Sequence, residues 1–77
     1  MRSRVLDAGD RALVTRLLDA DPVGNCFVAS RVEAGVLDPS GVGEVWGYPA
    51  HAARSLLHVG ANIVPVACDA EALDAFA

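Results

Sequence analysis

Few residues of this chain can do chemistry by themselves: Cys26, Cys68, His51, His58 and one serine in a helical stretch, Ser30. Two cysteines and two histidines are the donor types of a zinc site. Such sites draw ligand pairs from a single turn, as CxxC or HxxxH, and none of these four lies within a turn of another, so no metal is expected. Ser30 is not on the strand-to-helix elbow of a GxSxG nucleophile, and no ordered set of Ser, His and Asp accompanies it. His58 sits inside the apolar run RSLLHV, where a hydrogen-bonded core or sheet-face histidine is the expected role rather than a base. Gly41 and Gly43 precede a strand, whereas phosphate loops follow one and open a helix, so both read as turn glycines. Trp46 and Tyr48 are two apart and share a strand face; they suit stacking on a ligand, but packing is the expected use. Both cysteines are expected to be buried free thiols. No catalytic, cofactor or metal residue is assigned from types and spacing alone.

Composition narrows the classes. The net charge is −4 and all six cations are scattered arginines, so no basic stripe exists for phosphate and no nucleic-acid partner is expected. Arg2 and Arg4 precede no apolar run of signal-peptide length, and nothing approaches the roughly 20 apolar residues of a membrane span. No membrane partner and a cytoplasmic location are expected. The lack of lysine beside abundant Ala, Val, Gly, Asp and Arg suggests a high-GC bacterial coding bias. A chain of 77 residues makes one small domain, residues 1–77, and buries only roughly 60% of its unfolded surface. Its hydrophobic fraction of 53% is high for that size, which predicts that some apolar surface faces structure outside this chain.

The elements that must position these residues are organised around Asp21 to Gly35, DPVGNCFVASRVEAG. Asp21 suits an N-cap, Pro22 the first helical position and Gly35 a left-handed exit, so the spacing predicts one helix over the stretch. Val23, Cys26, Phe27, Ser30 and Ala34 form one stripe, on which Phe27 is expected to be fully buried. Val28 and Val32 form another, expected to face missing structure and to support self-association. Before it, Ser3 to Ala8 reads as a short strand. Asp10 reads as the cap of an amphipathic helix that pairs Leu13 with Leu17 and Val14 with Leu18 and ends near Asp19. After it, Val36 to Gly43 is a loop. Glu44 to Tyr48, Arg54 to Val59 and Ile63 to Ala67 are strands, the last two joined by a hairpin at Gly60-Ala61-Asn62, where Gly and Asn tolerate positive φ. Pro65 places the last strand at an edge, or beside a gap or bulge in the sheet. Asp69 caps a final helix, with Glu71 in its first turn and Leu73 and Phe76 at helical spacing, which reads as a helix cut short. The expected fold is α+β in the order β-α-α-β-β-β-α(start), an antiparallel sheet packed against helices.

Three stretches, DPVGNCFVASRVEAG, GEVWGY and GANIVPV, in this order and spacing, resemble the opening of a group of actinobacterial GNAT-family N-acetyltransferases in which a domain of unknown function precedes the acetyltransferase domain. The resemblance runs from the first helix to Phe76. It implies a GNAT-like half fold, acetyl-CoA as the parent's cofactor, an amine acceptor, and the C-terminal acetyltransferase domain of the same polypeptide as partner. In GNAT domains a loop patterned (Arg/Gln)-x-x-Gly-x-(Gly/Ala) holds the pyrophosphate through its amides. The matching place here, Ala67-Cys68-Asp69-Ala70-Glu71-Ala72, has no glycine, no arginine and two carboxylates, so no cofactor residue is carried over and the acetyl-CoA site is expected beyond residue 77. The alternative from another class is a stand-alone protein-interaction or regulatory module.

Overall fold

The computed structural model describes residues 2–38, 41 and 43–77. Four antiparallel strands lie in sequence order: β1 (Arg4–Val5), β2 (Glu44–Tyr48), β3 (Ser55–Val59) and β4 (Ile63–Val66). Three helices accompany them, α1 (Arg11–Leu18), α2 (Cys26–Glu33) and α3 (Ala70–Phe76), so the fold is α+β in the expected order. Register decides which side chains share a face. Val45 is opposite His58, which is opposite Val64, and two residues along Gly47 is opposite Leu56, which is opposite Val66. This face carries the core, with Leu6, Val45, Leu56 and Val66 joined by Val14 and Leu18 of α1 and Val28 and Val32 of α2. Gly47 belongs there because a Cβ would meet Leu6 Cδ2 and Ala53 Cβ at 2.9 Å. Pro65 lies on the edge strand, where its missing N–H costs no central ladder bond.

The helix pair corrects the expected inward face. Asp21 does act as a cap, its carboxylate accepting from Gly24 N at 3.1 Å, but it caps only an isolated turn, closed by Asn25 N to Asp21 O. The α-helix begins at Cys26, after Gly24 and Asn25, both poor helix formers. Val28 and Val32, expected to face missing structure, are 1% and 4% exposed and lie in the core. The other stripe points outward: Val23 is 86% and Phe27 42% exposed, and Cys26, Ser30 and Ala34 are exposed too. Both stripes are apolar, and the turn out of α1 sets which one meets the sheet. Gly35 leaves the helix at φ 95°, and Val36 N returns to Arg31 O in a Schellman closure that buries Val36.

Other boundaries shift for local reasons. The N-cap before α1 is Asp7, which accepts from Gly9 N, while Asp10 reaches back to Asp7 N; the two aspartates form a reciprocal capping box around a 3-10 turn, Ala8–Asp10. Asp10 does stand at the N-cap position of α1, as expected, but its carboxylate makes no cap bond to that helix. Its carboxylate also receives two bonds from the Arg4 guanidinium, at 2.7 and 3.0 Å, tying β1 to the start of α1. In the β3–β4 hairpin neither Gly60 nor Asn62 takes positive φ; among described non-glycine residues that conformation falls on Ala67, at φ 54°. The loop after α2 buries Leu37 as well as Val36, and its Pro39, Ser40 and Val42 lie outside the described residues. No helix among the described residues is long and apolar enough to cross a membrane.

Burial and capping each set a measurable outcome. Leu56→Ala should cost about 2 to 5 kcal/mol in a urea melt, and Phe27→Ala clearly less than the roughly 3 to 5 kcal/mol of a fully buried ring. The Asp10 carboxyl is lowered from 3.8 to about 2, chiefly by the hydrogen bond from Arg4. Its contribution to stability is thus complete above the ordinary value and lost as pH falls from 3.8 towards 2. An acid titration of the melting point should lose this step in Asp10→Asn.

Candidate functional site

Apart from the Arg4–Asp10 pair, a cluster of polar side chains gathers where β4 runs into α3. Tyr48, at the end of β2, and Ser55, opposite it on β3, line a cleft of about 250 Å³ with Arg54, Ala67, Asp69 and Glu71. Strand alternation brings Tyr48 and Ser55 there: both lie on the sheet face opposite the core helices, together with Trp46 and Leu57. The left-handed turn at Ala67 then swings the chain from the edge strand over that face. Ser55 Oγ donates to Ala67 O at 2.8 Å and holds the turn. Cys68 Sγ is placed 3.3 Å from Leu56 O and 3.5 Å from Val66 O, and burial pushes its thiol above the ordinary range, away from a reactive thiolate.

The start of α3 is occupied by the chain's own groups. Asp69 caps it, accepting from Ala72 N at 2.9 Å, as the sequence predicts. Glu71, in the first turn, accepts the Tyr48 hydroxyl at 2.8 Å. The Tyr48 phenol is raised above 10, first by that hydrogen bond, which the phenolate would lose, then by desolvation and by the charge of Glu71, with Arg54 opposing. Phe76 meets the Tyr48 ring edge-on, with centroids 6.4 Å apart. Nothing in the sequence signals this cluster. Tyr48 reads as packing and Glu71 as a first-turn acid, and their separation of 23 positions follows no local period.

The other chemistry-bearing residues are dispersed. Cys26 is exposed on α2, not buried as expected, and Ser30 donates its hydroxyl to Phe27 O in the preceding turn. His51 is exposed. His58 is core-facing and 2% exposed, but the expected hydrogen bond is missing: neither ring nitrogen has a partner among the described residues, and its neighbour is the Phe27 ring, perpendicular at 5.6 Å. No group of three His, Cys, Asp or Glu among the described residues is placed to hold a metal ion.

The second half of the chain has a family match. Residues 43–77, from the start of β2 through α3, match the model of a domain of unknown function (DUF4081). The matched segment contains all six residues of the cleft, and its description assigns no activity. No curated protein and no solved structure matches the chain.

Because the phenol is raised in the folded state, its contribution is present below pH 10 and lost as pH rises through the higher folded value. Absorbance titration of the single tyrosine should show phenolate forming above pH 10, with the melting point falling over the same interval. Ordinary ionisation near 10 would show that the bond to Glu71 does not persist in solution.

Proposed function

We propose that this chain is the N-terminal, non-catalytic part of a GNAT-family N-acetyltransferase. The parent transfers acetyl from acetyl-CoA to an amine by direct attack within a ternary complex in the cytoplasm, and the acetyl-CoA site lies in sequence beyond residue 77. The resemblance of the three stretches, and an element order of strand, two helices, three antiparallel strands and a helix, support the family. One observation carries the non-catalytic role: the place where a GNAT pyrophosphate would dock is filled by Asp69 and Glu71, both engaged within the chain. An incoming anion would meet carboxylates in place of free amides. The partner in this reading is the C-terminal acetyltransferase domain. Its support is apolar surface left open on the second sheet face, where Val5 is 41% and Ile63 68% exposed.

A stand-alone interaction module is the second reading, favoured by outward-facing Phe27 on α2 and Val23 in the turn before it. The cofactor test bears on the first. Calorimetric titration of the 77-residue chain with acetyl-CoA should give no saturable heat. One-to-one binding at micromolar affinity, abolished by substitutions between Ala67 and Ala72, would place the cofactor site in this chain and overturn the proposal.

A further inference from the structure

α3 is thinly embedded in the fold. It contributes nothing to the central core cluster; of its residues only Ala72 is buried, while Leu73 is 48% exposed. Its ties to the rest of the fold are few and identifiable: the Tyr48 hydroxyl on Glu71, the edge contact of Tyr48 with Phe76, a long 3.5 Å bond from Ser3 Oγ to Ala75 O and, between Ala67 and the helix, Cys68 Sγ at 3.3 Å from Leu56 O. The hinge is equally local. Ala67 holds φ 54° shortly before the helix, a conformation that its Cβ disfavours, and Ser55 Oγ pins its carbonyl to β3 so that the chain beyond it can turn.

We infer that α3 is a strap that opens independently of the sheet, hinged at Ala67 and latched by the Tyr48–Glu71 hydrogen bond. Opening leaves Val14, Val28, Val45 and Leu56 packed, because their core cluster contains no residue of α3. It uncovers the buried Tyr48 and Ser55 beside the half-buried Trp46 and Leu57, a continuous aromatic and aliphatic strip on the second sheet face. The strap thus controls access to that strip, whether or not the parent transfers acetyl groups. Closure is favoured while Tyr48 is protonated. Deprotonation sets a phenolate against Glu71 and Asp69, with only Arg54 to offset them, so alkali opens the latch.

Amide hydrogen exchange followed by NMR on the 77-residue chain tests this. The Leu73 and Ala77 amides, bonded to Asp69 O and Leu73 O, should exchange faster than those of the β2–β3 ladder in the wild type. Tyr48→Phe keeps the ring and removes the donor. It should accelerate the α3 amides about tenfold, the equivalent of one charge-assisted hydrogen bond, leave the ladder unchanged, and shift Trp46 emission to longer wavelength. Glu71→Ala removes the acceptor from an exposed position without altering the sheet and decides the matter if Tyr48→Phe perturbs the fold. Acceleration confined to α3 in that variant supports the strap. Acceleration by one factor throughout the chain, or none in α3, overturns it.

Discussion

Val45 and Leu56 lie on adjacent strands with no exposed surface, and Val14 and Val28 meet their face of the sheet from α1 and α2. These four side chains are the constraint on which the arrangement depends. Burial of an aliphatic side chain contributes about 1.5 to 3 kcal/mol, and in a chain of this length little else can offset the entropy of ordering. The helices stay on the sheet because their valines and leucines are needed there. The strand register is fixed because a one-residue slip would turn Leu56 and Val45 to the other side.

That constraint leaves the two faces unequal. The first is sealed by two helices and accounts for the core. The second is covered at one end by α3, where Tyr48, Glu71 and Phe76 meet, and elsewhere shows Val5 and Ile63 to solvent. The Tyr48, Ser55 and Glu71 cluster lies on this second face, while the Arg4–Asp10 pair and its capping box stand at the start of α1. His58 is a polar ring on the sealed face, set against Phe27, whose nitrogens have no partner among the described residues. Leaving such groups unpaired typically costs about 1 to 3 kcal/mol, so this position works against stability.

The sequence discloses the elements more readily than their orientation. Glu44 to Tyr48 is legible because alternating residues stop at Pro49, and Gly35 and Asp69 are legible because helix ends need a left-handed residue and a side-chain acceptor. The inward side of α2 is not. Val28 and Val32 are smaller than Phe27, and a period of 3.6 residues says which residues share a face, not which face the sheet will meet. The Asp7 and Asp10 box is hidden for a related reason, since either aspartate suits a cap and the pairing with Arg4 is a tertiary matter. The Tyr48–Glu71 contact depends on the turn at Ala67, where a residue without glycine's freedom takes glycine's conformation and no spacing rule applies.

The central claim, that α2 turns its valines inward and its phenylalanine outward over a sheet sealed on one face, can be measured with a soluble paramagnetic agent and assigned side-chain NMR signals. Val23, Phe27, Ile63 and Leu73 should broaden strongly, while Val14, Val28, Val45 and Leu56 remain sharp. Broadening of Val28 and Val32 with Phe27 spared would contradict the account, for it would mean that α2 packs by its other side.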